Sequence, residues 1–145
     1  MISDNDFDGH SSVRVGGDAA VAVRDRLAAS RDAMTTLLGE LVGIESGSDD
    51  PVGLAAMCAR IEQLFGEFGT VTRHPEGRPG VHNLVVEVAG TEQNLAPVVV
   101  LGHYDTVWPR GTLDRMPFAV DERDVATGPG CFDMKGGLVL LYHAL

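Results

Sequence analysis

The chain has 145 residues, 44% hydrophobic and 22% charged, with a formal net charge of −10. That length buries one core, so one domain or part of one is expected. The acidic balance argues against nucleic acid and anionic membrane surfaces as partners. Cys58 and Cys131 form no CxxC and no disulfide framework, which suits a reducing, cytoplasmic compartment. The polar, acidic start of the chain has no secretory pattern. No apolar run reaches the roughly 18 residues of a membrane span.

Residues 1 to 17, rich in Ser, Asp, Asn and Gly, read as a disordered tail. From Asp18 to Val42 the pattern is helical: Leu27, Met34, Leu38 and Leu41 recur at spacings of seven, four and three. Gly43 and Ser46-Gly47-Ser48 end it. Asp50-Pro51 is a helix start, with Asp as N-cap and Pro in the first turn. Leu54, Cys58, Ile61, Phe65 and Phe68 then mark one apolar stripe, with Gly69 as the terminating glycine. Cys58 on that stripe reads as a small buried hydrophobe.

Thr70–Arg73 and Asn83–Val88 are strand candidates, separated by Pro and Gly breaks. Pro97–Leu101 is the next. Its run Val98-Val99-Val100-Leu101 does not alternate, the pattern of a central strand covered on both faces. Phe118–Val120 and Val125-Ala126 are weaker strands around a turn at Asp121–Asp124. Met134–Leu145 reads as a buried helix, apolar all round. Helices leading into strands and back to a helix define an α/β layer architecture. The apolar segment at the C-terminus without a cap or polar tail suggests a piece of a longer protein.

Chemistry concentrates between Pro97 and Gly137. Residues two apart on a strand share a face, so His103 and Asp105 project together at a strand's C-terminal end, where ligand sites in open α/β sheets lie. A neutral imidazole suits a borderline metal such as zinc, and a carboxylate beside it orients the ring. Alone, His-Tyr-Asp is more often an incidental pair. A second cluster adds weight: Gly128, Gly130, Gly136 and Gly137 surround Asp133, whose two oxygens can serve two cations. The bland alternative is a helix N-terminus with an Asp on its dipole. A phosphate loop is excluded, because Lys135 is followed by Gly136 rather than Ser or Thr.

GHYDTVWPRGTL followed by GPGCFDMKGG resembles the N-terminal catalytic segment of the M20 family of zinc metallopeptidases, the glutamate carboxypeptidase-like members above all. LVGIESGSDDPVGL is similar to the junction that opens such enzymes. The resemblance implies a three-layer α/β sandwich with a mostly parallel central sheet, of which residues 18–145 are the N-terminal portion. It implies that His103 is a zinc ligand, that Asp105 is the catalytic aspartate orienting it, and that Asp133 bridges two zinc ions, with Co²⁺ as a possible substitute. It further implies a cis peptide at Asp133–Met134, a small peptide or N-acyl amino acid substrate, and a homodimeric parent protein. The reaction implied is release of a C-terminal, glutamate-like residue by a metal-activated water, or N-acyl amino acid deacylation or desuccinylation. The family's adjacent glutamate pair, which supplies the general base, has no counterpart in these 145 residues. The chain by itself is therefore expected to be inactive.

The remaining candidates weigh less. His143 reads as a packed core residue, His10 and His74 as solvated, and His82 as structural or near the site. Trp108 lines a pocket or packs on the sheet end. Lys135, the one lysine among eleven basic residues, neutralises nearby acids or caps local structure. Cys131 reads as filler beside the site.

Overall fold

The computed structural model describes residues 17–91 and 95–145. They divide into two compact units, one ending at Arg31 and one spanning Asp32–Leu145. The expected tail lies outside the described residues except for Gly17, which opens α1 (Gly17–Ala29).

The single helix expected from Asp18 to Val42 is two: α1, then α2 (Arg31–Gly43). At Ser30 the hydroxyl and the amide both donate to Arg26 O, at 3.0 and 3.1 Å, a local bond that competes with helix continuation. α1 buries no residue, so Leu27 does not extend the α2 stripe. α2 buries Leu37, Leu41 and Val42.

α3 (Pro51–Phe65) starts as its sequence dictates. Asp50 caps it, its carboxylate accepting from Gly53 N at 3.1 Å, with Pro51 opening the first turn. The stripe Leu54, Cys58, Ile61 and Phe65 is buried. The helix ends at Phe65, earlier than expected. Gly66 remains right-handed, and residues through Gly69 turn the chain into β1 (Thr70–Pro75). β1 pairs antiparallel with β2 (His82–Glu87), Thr70 opposite Glu87 and Pro75 opposite His82. In β2, His82, Leu84 and Val86 face inward and alternate with exposed neighbours, the period-two pattern of a sheet with one covered face.

A second, two-residue antiparallel pair joins β3 (Ala119–Val120) to β4 (Ala126–Thr127). Its turn is held by Asp121 Oδ1, which accepts from Arg123 N and Val125 N, each at 2.9 Å. The architecture is thus mixed helix and small antiparallel sheets. Val98–Leu101 forms no ladder, contrary to the expected central strand, and its side chains are 60–89% exposed. A run this apolar is stable as a strand only when neighbours satisfy its amides and cover both faces, and β1 to β4 pair elsewhere. Among the described residues the one parallel pairing is an isolated bridge, Gly47 to Thr106.

α4 (Gly136–Ala144) follows a wide turn at Cys131–Lys135. It is not buried all round: Leu138 and Val139 are buried, whereas Leu140 is exposed. The core lies where α2, α3 and α4 meet. Leu37, Leu41, Met57, Ile61, Leu64 and Phe65 pack with Leu138 and Val139, and β2 adds Leu84 and Val86. Each large side chain so buried contributes about 1.5–3 kcal/mol. At the rim, Arg60 grips Glu40 through Nε and Nη2, at 2.5 and 3.0 Å, tying α3 to α2. Such exposed pairs add about 1 kcal/mol at most. Among the described residues no helix is long and apolar enough to cross a membrane.

Candidate functional site

His103 and Asp133, thirty residues apart in sequence, meet in space. His103 Nε2 lies 2.9 Å from Asp133 Oδ1. The other ring nitrogen, Nδ1, is 3.1 Å from Asp105 O and 3.2 Å from Asp105 Oδ1. Asp105 therefore faces one edge of the imidazole and Asp133 the other. The His103 amide donates to Met134 Sδ at 3.2 Å, joining the two motifs through backbone as well.

The turn that presents Asp133 depends on Gly130. Its φ of 74° is left-handed, and a Cβ there would stand 2.5 Å from Thr106 Cγ2. Lys135 N donates to Gly130 O at 3.0 Å and closes the turn. Within it, Asp133 and Met134 leave helical geometry and their peptide is cis. The Asp133 side chain is 76% exposed, so its carboxylate faces solvent beside the imidazole.

The electrostatics follow from these contacts. Partial burial pulls the His103 pKa down, but the hydrogen bond to Asp133 and the contacts with Asp105 outweigh it, so the net displacement is upward. Lys135 is only 1% exposed, and burial lowers its pKa to about 8. Its Nζ donates to Ile44 O at 2.8 Å. That resolves the choice left by sequence: Lys135 anchors the Asp133 turn to the segment after α2. Burial raises the Cys131 pKa against the pull of Lys135, so its thiol is not a ready thiolate.

Several residues at the site carried no recognisable signal. Ser46-Gly47-Ser48 read as a helix stop within the junction segment, with no role at the site, yet Ser48 Oγ donates to Asp105 Oδ2 at 2.7 Å and Ser46 Oγ to Tyr104 O at 2.8 Å. Glu45 accepts from Gly111 N at 2.9 Å and Leu113 N at 3.1 Å, holding the loop after Trp108. Those two amides lower the Glu45 pKa, the Gly111 bond most. Tyr104 OH donates to His82 O at 2.5 Å, which gives His82 a structural position in β2. His143 is half-buried beside the core rather than in it, edge-on to its neighbour Tyr142, and its Nε2 is buried without a hydrogen-bond partner among the described residues. His74 is exposed, as expected, and His10 lies outside the described residues.

An imidazole whose outer nitrogen is held by a carboxylate and whose inner nitrogen meets a second carboxylate has the donor chemistry of part of a metal centre. It is only part of one. Among the described residues no group of three or more His, Cys, Asp or Glu side chains gathers closely enough to hold an ion.

Residues 99–145 match the model of peptidase family M20/M25/M40, a match that contains His103, Asp105 and Asp133. The chain belongs to this family of metallopeptidases, on its glutamate carboxypeptidase-like side. In particular, it is 37% identical over 139 residues to Carboxypeptidase G2 of Pseudomonas sp. (strain RS-16). That alignment covers 90% of this chain and 32% of the relative, so the chain spans about a third of the length of the curated protein it matches.

Proposed function

We propose that this chain supplies the first ligands of a di-zinc hydrolase that removes a C-terminal, glutamate-like residue from a peptide or N-acyl amino acid. The observation that supports the reading is the 2.9 Å approach of His103 Nε2 to Asp133 Oδ1, with Nδ1 held by Asp105. In this reading His103 is a zinc ligand and Asp133 the carboxylate shared between two ions. When bound, such ions supply Lewis-acid polarisation and an acidified water. The chain's own residues do the positioning. With the Nδ1 proton donated to Asp105, loss of the Nε2 proton now shared with Asp133 would leave the Nε2 lone pair for ligation. Lys135 keeps the Asp133 turn docked through Ile44 O.

The rest of the centre, including a general base, must come from residues other than these, because no Glu-Glu pair occurs in the 145. On that ground the chain alone is inert towards an N-acyl glutamate even with Zn²⁺ or Co²⁺ added. N-acyl amino acid deacylation or desuccinylation is the neighbouring reading. The finer architecture belongs to the same proposal. Residues 18–145 form the N-terminal portion of a catalytic domain whose whole is a three-layer α/β sandwich with a mostly parallel central sheet. The whole protein is a cytoplasmic homodimer.

Calorimetric titration with Zn²⁺ tests the ligand assignment. The wild-type chain should bind weakly, through the partial ligand set of His103 and Asp133, and His103→Ala and Asp133→Ala should each weaken binding at least about tenfold. Equal affinity in all three proteins refutes it.

A further inference from the structure

We propose that Ser48 is a positioning residue for His103, acting through the carboxylate of Asp105; the inference rests on His103 and Asp133 being metal ligands. The two Asp105 oxygens have different neighbours. Oδ1 lies 3.2 Å from His103 Nδ1, and Oδ2 accepts from Ser48 Oγ at 2.7 Å. Thr106 O is also near Ser48 Oγ, at 3.1 Å. A hydroxyl has one proton, and the shorter contact to a charged acceptor is the stronger claim on it.

Ser48 is itself held from several sides. Its amide donates to Thr106 O at 2.9 Å, and Thr106 N returns a bond to Ser46 O at 2.8 Å. Arg78 donates to Ser48 O at 2.8 Å. The backbone between the two serines runs so close to the motif that a Cβ on Gly47 would stand 2.7 Å from Trp108 O. The hydroxyl therefore reaches Asp105 from a fixed platform.

Among the described residues, Ser48 is the side chain that hydrogen-bonds the Asp105 carboxylate, while His103 Nδ1 lies 3.2 Å from its other oxygen. Without it, that half-exposed carboxylate is free to rotate into solvent, and Nδ1 keeps only the Asp105 backbone oxygen at 3.1 Å, so the imidazole is held less firmly. The chain of contacts runs Ser48 to Asp105 to His103, and its effect belongs to the metal-binding nitrogen at the far end. Thr in place of Ser preserves the hydroxyl; Ala removes it.

Cobalt titrations of the chain, followed by the visible absorption of bound Co²⁺, test this, with circular dichroism and urea midpoints confirming that each protein is folded. Ser48→Ala should weaken Co²⁺ binding about tenfold, the lower end of what residues supporting a ligand cost. Ser48→Thr should stay within about twofold of wild type. In an Asp105→Ala background the Ser48→Ala change should have no further effect, because the route through Asp105 is already cut. Losses that multiply in the double variant overturn the proposal, as does a Ser48→Ala chain that binds like wild type while His103→Ala loses binding. If His103→Ala binds unchanged, the metal reading itself falls and the role of Ser48 falls with it. Should Ser48→Ala not fold, Ser48→Gly replaces it with the same expectations, since it too lacks the hydroxyl.

Discussion

Lys135 offers the sharpest physical test of the structure. It is 1% exposed, and its folded pKa of about 8 stands against an ordinary 10.5. Below pH 8 both folded and unfolded chains hold the proton, so the folded state bears the full cost of a buried ammonium. Between pH 8 and 10.5 the unfolded chain holds more protons than the folded one, and stability rises with pH. The displacement from 10.5 to about 8, at about 1.4 kcal/mol per pH unit, amounts to about 3 kcal/mol at its limit. Lys135→Met keeps the aliphatic stem, removes the charge and leaves Ile44 O unpaired at every pH. Urea unfolding of both proteins from pH 7 to 9.5 isolates the lysine, because groups common to the two cancel in the difference. Wild type should gain about 2 kcal/mol on Lys135→Met across that range, nearly all of it above pH 8. A difference flat to within about 0.5 kcal/mol refutes a desolvated lysine.

Three further outcomes follow from individual contacts. Glu45→Gln should loosen the loop that its carboxylate holds through Gly111 and Leu113. Because those bonds lower the Glu45 pKa, the wild-type contribution is present above pH 4.5 and lost as pH falls through the folded value. Amide exchange at Gly111 and Leu113, followed from pH 7 down through the acid range below pH 4.5, should show the variant's faster exchange converge on the wild type once the pH passes the folded Glu45 value. Tyr104→Phe removes the bond to His82 O and should cost about 1 kcal/mol by urea midpoint, with more lost if the carbonyl stays dry. Met57→Ala, at a fully buried position of α3, should cost about 2–5 kcal/mol; a loss below about 1 kcal/mol places Met57 outside the core.

What sequence discloses here tracks how local the cause is. The α3 cap at Asp50-Pro51 is written in two adjacent residues and reads correctly. So does the β3–β4 turn, where Asp121 bonds residues two and four ahead. The break at Ser30 is invisible to a hydrophobic period, because no glycine or proline marks it and the apolar spacing runs across it. His103, Asp105 and Asp133 stand out in the sequence because their residue types carry chemistry, and the structure brings the three side chains together. Ser48 and Glu45 were not, since their partners lie 57 to 68 residues away and nothing in a serine or a lone glutamate announces such a contact. The apolar run at Val98 misled for the same reason: strand formation is a property of the neighbours as much as of the run.

That run also governs how the chain responds to heat. Four aliphatic side chains that stand 60–89% in water when folded have little new surface to hydrate when the chain opens. Unfolding heat capacity grows by about 0.45 cal/K/mol for each Å² of apolar surface newly wetted. Val98 to Leu101 therefore contribute almost none of it. The stability curve is correspondingly shallow, falling away more gently on both the cold and the warm side of its maximum than it would with the same four residues under cover.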